Sequence, residues 1–230
     1  IQTLDPRGFT VYSTDAETKE EQLHPFLWRF WNKTPEKGRI AVFDRSWYRK
    51  LLIDRYETKP SKKKIAITLD EINTFEKQLT DGGTLIIKFF LDISKKEQKK
   101  RLKKLRENKS TKWRVTEADI DRNKHFDAYA NMADEMLVKT DSSYAPWTIV
   151  EAEDADFATI KILSKVADAF EERYQTECKS SEKLIDGKFD STNLNDSMLK
   201  KSDLSKKLKQ EDYDKKLSEL QKKLGHLHGQ

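Results

Sequence analysis

Cysteine occurs once in the 230 residues, at Cys178. No intrachain disulfide can brace the fold, and a reducing compartment is the expectation. No apolar run approaches the roughly 20 residues of a membrane span, and no signal-like segment opens the chain. A cytoplasmic protein without a membrane partner is therefore expected. The chain opens on Ile1 without a methionine, which reads as a fragment. Glycine is scarce, at seven residues, and none falls in a G-x-x-x-x-G-K-[ST] pattern. The backbone loop that usually cradles phosphates is thus missing from the sequence. His24, His125, His226 and His228 share no metal-ligand spacing with Cys178, and no G-x-S-x-G elbow surrounds a serine.

What is present is charge. Lysine and arginine number 45 against 40 acids, a net charge of +5 that suggests a polyanionic partner: nucleic acid, phosphates or a membrane surface. Charged residues make up 37% and hydrophobic ones 36%, so a compact core under a highly charged surface is expected. Four short runs read as strands: "FTVYS" (9–13), "RIAVFD" (39–44), "TLIIKFFLDI" (84–93) and "WTIVEA" (147–152). The last three are nearly continuous in apolar character, as parallel strands covered on both faces are. Between them, "TLDE" (68–71) and "SKKE" (94–97) read as capping boxes, "DGG" (81–83) as a helix stop, and "TEAD" from Thr116 as a further cap. This alternation predicts an α/β layered domain with a mainly parallel sheet over residues 1–175. Residues 176–203 read as a polar linker. Residues 204–230 follow as an amphipathic helix in which Tyr213, Leu217, Leu220, Leu224 and Leu227 keep a 4-3-4-3 spacing.

Two stretches carry candidate chemistry. In "GRIAVFDRSWYRK" (38–50) a strand runs straight into Asp44 and Arg45. Ligands of open parallel sheets sit beyond the carboxyl ends of the strands. An aspartate there can hold Mg²⁺, and a neighbouring arginine can fork onto a phosphate. A solvated capping aspartate with a salt-bridged arginine is the structural alternative. Residues 95–114 hold eleven lysines and arginines against two glutamates and end in "KWR". They read either as a solvated helix face, as a mobile basic segment that closes over phosphates, or as a single-strand groove beside Trp113. No nucleic-acid motif supports the last, and no nucleic-acid partner is expected.

The segments "LDPRGFTVY", "FLWRFWNKTPEKGRIAVFDRSWY", "IIKFFLDISKKEQKKRL", "DAYANMADEML" and "YAPWTIVEAEDADFATIKIL" lie in order across residues 4–172. Together they resemble the second-type polyphosphate kinases, including polyphosphate:AMP phosphotransferases. The resemblance implies a P-loop-kinase-like three-layer α/β/α domain with a basic lid segment, and a phosphotransferase that uses Mg²⁺ to move a terminal phosphate between inorganic polyphosphate and a nucleotide, AMP or ADP. It implies that Asp44 and Arg45 are catalytic, with Asp44 on the metal. Lys112, Arg114 and Arg122 then contact substrate from the lid, and Asp54 and Arg55 are further candidates. The tail is similar to the helix that precedes the first strand in this family, which implies a fused second half or an oligomer. The chain departs from the family pattern at Arg49, Asp54, residues 120–122, Ala155 and Asp156. These departures keep open a catalytically degenerate half that binds polyphosphate or supports a partner domain.

Overall fold

The structure, a computed structural model, describes residues 5–179 and 202–228. Four strands appear where the apolar runs stand: β1 (Phe9–Ser13), β2 (Ile40–Asp44), β3 (Lys88–Asp92) and β4 (Trp147–Glu151). Pairing is parallel, β1 with β2 and β3 with β4, as helical crossovers require. The expected α/β architecture with parallel strands holds. The strands nevertheless form two separate two-stranded sheets, because β2 and β3 do not hydrogen-bond to one another. Val11 on β1 and Leu91 on β3 are left 58% and 57% exposed.

Eight helices connect and cover these strands among the described residues: α1 (Trp28–Trp31), α2 (Arg55–Thr58), α3 (Lys62–Asp81), α4 (Lys95–Glu107), α5 (Glu117–Lys124), α6 (Phe126–Thr140), α7 (Ala155–Lys179) and α8 (Gln210–His228). A wide π turn, Lys50–Asp54, leads into α2. Ser94 caps α4 by accepting from the Glu97 N–H, and Thr116 and Asp119 form a reciprocal capping box on α5. The box expected at Thr68 lies inside α3. That helix begins earlier, where the Ser61 hydroxyl accepts from the Lys64 N–H. At the other end of α3, Gly83 takes the left-handed conformation (φ +91°) that redirects the chain toward β3.

The main core lies between α3, α6 and the segment after β2. Phe30, Trp47, Tyr48, Leu51, Leu69, Ile72, Phe75, Met136 and Leu137 are all buried there. A second cluster joins α7 to α8: Leu163 and Ala167 meet Leu224, with Leu217, Leu220, Phe9 and Ile40 around them. The heptad-like face of the tail is therefore spent on the domain itself. α7 continues to Lys179, and most of the predicted linker, residues 180–201, lies outside the described residues. No helix among the described residues is long and apolar enough to cross a membrane.

Candidate functional site

The parallel register sets Ser13 beside Asp44 at the carboxyl end of the first strand pair. One residue further, the Thr14 N–H donates to the Asp44 carbonyl at 3.0 Å, so the strand end is held from its neighbour. The chain then turns abruptly. Arg45 and Ser46 both adopt left-handed backbone conformations, with φ of 67° and 31°. Neither is glycine, and each such residue stores on the order of 1–3 kcal/mol of strain. The turn drives Trp47 and Tyr48 into the core while Asp44 and Arg45 stay exposed. This is why a buried strand is followed by a charged pair.

The strain is opposed by what the two aromatics reach. The Trp47 indole N–H and the Tyr48 hydroxyl both donate to Glu76 Oε1, at 3.0 and 2.6 Å. Glu76 Oε2 accepts from Lys88 Nζ at 2.8 Å, and the same ammonium donates to the Tyr48 hydroxyl (3.0 Å) and the Thr140 carbonyl (2.7 Å). Burial first, and the Glu76 charge second, push the Tyr48 phenol well above its ordinary value, so it remains a donor. Burial lowers the Lys88 value against the opposing pull of Glu76. The Trp47 ring is further fixed edge-on by Phe30 and Phe75 at 5.7 and 5.0 Å.

Among the described residues the Asp44 carboxylate and the Arg45 guanidinium take part in no hydrogen bond or ion pair. The salt-bridged alternative is thereby set aside for Arg45. Behind Ser46 lies a polar cavity of about 10 Å³, bordered by Thr14, Glu17, Arg29, Arg49 and Asp54, with room for about one water. Arg49 Nε is buried there without a hydrogen-bond partner, while Arg29 Nε lies 3.2 Å from Glu21 Oε1.

The other predicted site residues divide into two groups. Asp54 pairs with Arg49 at 2.5 Å, and Arg55 pairs with Glu135 of α6 at 2.6 Å. Burial pushes the Asp54 carboxyl up, partly offset by Arg49 and Lys50. Two of the departures from the family pattern are thus each other's partners. Lys112 and Arg114, by contrast, are exposed on a short 3-10 turn around Trp113, itself 77% exposed. Arg122 on α5 holds Asp119 at 2.7 Å. Burial pushes that carboxyl up, but hydrogen bonds from Thr116 and the charges of Arg122 and Arg45 bring it below its ordinary value. Arg45 thus lies within electrostatic range of Asp119 on α5.

Of the eleven cations at residues 95–114, Lys95, Lys100, Arg101 and Lys103 have carboxylate partners. Arg101 also donates to the Ala152 and Glu153 carbonyls, which fixes α4 to the end of β4. Lys96, Lys99, Lys104, Arg106, Lys109, Lys112 and Arg114 are exposed and unpaired among the described residues. Such a surface seeks an anion. Glu76, Lys88 and Thr140 were not among the predicted residues. Their signals were a lysine inside the apolar run "TLIIKFFLDI" and a glutamate on the apolar face of α3 beside Phe75.

Parallel strands that end in an acid–arginine pair, exposed and unpaired among the described residues, define an α/β domain whose candidate site lies beyond the strand ends. The polyphosphate kinase 2 (PPK2) family description matches residues 1–178, and the chain belongs to that family. It is 37% identical over 172 residues to the polyphosphate:AMP phosphotransferase of Pseudomonas aeruginosa, covering 75% of this chain and 35% of that protein. It is 29% identical over 185 residues to the AMP/ADP-polyphosphate phosphotransferase of Meiothermus ruber, covering 79% and 69%. A crystal structure of a polyphosphate kinase 2 from Pseudomonas aeruginosa superposes with a TM-score of 0.72 at 36% identity, over 77% of this chain and 38% of that one. The chain spans about a third of the length of the first curated relatives it matches.

Proposed function

We propose that this chain is a phosphotransferase domain that moves a terminal phosphate between inorganic polyphosphate and a nucleotide, AMP or ADP. The observation that carries the reading is the pair at the end of β2. Asp44 and Arg45 are exposed, unpaired among the described residues, and held in a strained turn that points them away from the core. In-line phosphoryl transfer needs positioning and charge neutralisation rather than a covalent protein nucleophile. Such transfers generally use a divalent cation, and we assign Mg²⁺. It binds through one or two carboxylates plus substrate oxygens and water. An exposed carboxylate free of protein cations fits that role, so Asp44 would hold the metal, directly or through water. The ion would neutralise phosphate oxygens.

Arg45 forks onto the transferring phosphate. Lys112, Arg114 and Arg122 reach the polyphosphate from the basic lid. Asp54 and Arg55, being paired with Arg49 and Glu135, act by holding the helix behind the site. The protein acts in the cytoplasm, either within a fused second half or as an oligomer.

A second reading is favoured by one observation. The Arg49–Asp54 pair consumes two departures from the family pattern, and the sequence holds no glycine-lysine loop. On that reading the chain binds polyphosphate and supports a partner domain without catalysing transfer. The test is transfer from long-chain polyphosphate to AMP and to ADP with Mg²⁺, followed by nucleotide chromatography. It is run on this chain and on a version lengthened by a strand and glycine-lysine loop, each also as Asp44→Asn. Transfer in the lengthened protein that vanishes with Asp44→Asn supports the enzyme. Polyphosphate binding without transfer in either length supports the second reading.

A further inference from the structure

The two strand pairs share no backbone hydrogen bond across β2 and β3, so something else must set the distance between them. Beside the shared apolar core, a polar network joins them. Trp47 and Tyr48 follow the β2 end, Glu76 sits on α3, Lys88 is the first residue of β3, and Thr140 closes α6. Glu76 is fully buried and Lys88 is 5% exposed. Each end of the Glu76 carboxylate has a distinct task. Oε1 takes the Trp47 and Tyr48 donors from the side of the strained turn, and Oε2 takes Lys88 from the side of β3. The Lys88 ammonium also lies 4.9 Å from the Trp147 ring centre on β4, and Trp147 donates to the Thr140 hydroxyl at 2.9 Å. The network therefore bolts the two residues after Arg45–Ser46 to the half of the molecule that carries α4 and α5.

We propose that Glu76 and Lys88 are positioning residues for the strand-end pair: they hold the left-handed Arg45–Ser46 turn in place and fix Asp44 and Arg45 relative to the basic segment. The inference rests on the reading of that pair as the phosphate site. Two adjacent left-handed non-glycine residues persist only where their surroundings over-determine them. Here two consecutive side chains, immediately after the strained pair, converge on a single oxygen. A fully satisfied buried network of this kind specifies one arrangement. A buried ion pair can often be replaced by apolar residues of similar volume without loss of fold, which makes the role separable from stability.

The test is the Glu76→Leu/Lys88→Met double variant, with Trp47→Phe/Tyr48→Phe as a second route that keeps both rings and removes both donors. Amide hydrogen exchange is read at Thr14 and Arg49, whose N–H groups donate to the Asp44 and Arg45 carbonyls. Leu163 and Ala167 in α7 serve as the reference, and Mg²⁺-dependent binding of polyphosphate is measured in parallel. The expected result is exchange at least tenfold faster at Thr14 and Arg49, unchanged at the α7 amides, with polyphosphate binding at least tenfold weaker. Exchange that is unchanged, or that rises equally in α7, overturns the proposal, because the network is then general core packing. Faster local exchange with undiminished binding also overturns it. If exchange rises locally while the unaltered protein binds no polyphosphate, the hold on the turn stands and the phosphate-site reading is the part that fails.

Discussion

Lys88→Met alone should destabilise the protein strongly. In the structure the ammonium donates to Glu76, the Tyr48 hydroxyl and the Thr140 carbonyl, all buried. Removing one member of a buried ion pair costs about 3–5 kcal/mol, since the remaining charge is stranded. The Tyr48 and Trp47 donors alone are left to offset the Glu76 charge. The loss relative to the unaltered protein should be about 3–5 kcal/mol at pH 7, roughly 6–20 °C in melting temperature. Urea unfolding followed by circular dichroism reads it directly. A loss below about 1 kcal/mol would refute the reasoning.

Three further outcomes are expected. Leu224 is 1% exposed between α8 and α7, so Leu224→Ala should cost about 2–5 kcal/mol in denaturant unfolding; a loss within experimental error would mean that α8 does not pack on α7 in solution. Burial pushes the Glu151 carboxyl up, but Lys161 at 2.5 Å and Lys206 at 3.3 Å outweigh that and bring it down to about 2. Its contribution, on the order of 1–3 kcal/mol, is present above about pH 4.5 and lost as pH falls toward about 2; an acid titration of Glu151→Gln should lack that slope. Ser46→Gly relieves the left-handed backbone at φ 31° and should leave thermal stability unchanged or raise it by up to about 1 kcal/mol, whereas a clear drop would argue against the strained turn.

Strand existence was legible because apolar runs of β-rich composition have few other uses in a chain this charged. Helix starts were less so. Ser61 and Thr68 are both followed by residues compatible with a cap, and only the backbone shows that Thr68 lies inside α3. The separation of β2 from β3 is a long-range pairing fact with no local signature. Asp44 and Arg45 could be picked out from the strand-end position. The turn that exposes them could not, since left-handed conformation is signalled by glycine or asparagine and here falls on Arg45 and Ser46. The Asp54 partner was hidden because an ion pair five residues away, through a π turn, follows no standard helical spacing.

The most direct test of the central claim is calorimetric titration of the protein with polyphosphate, with and without Mg²⁺, beside Asp44→Asn and Arg45→Met. If the strand end is the phosphate site, Mg²⁺ strengthens binding, Asp44→Asn abolishes that strengthening, and Arg45→Met weakens binding at least tenfold. Binding that ignores Mg²⁺ and both substitutions, and simply fades with salt, would place the polyphosphate on the exposed lysines of α4 alone and contradict the account.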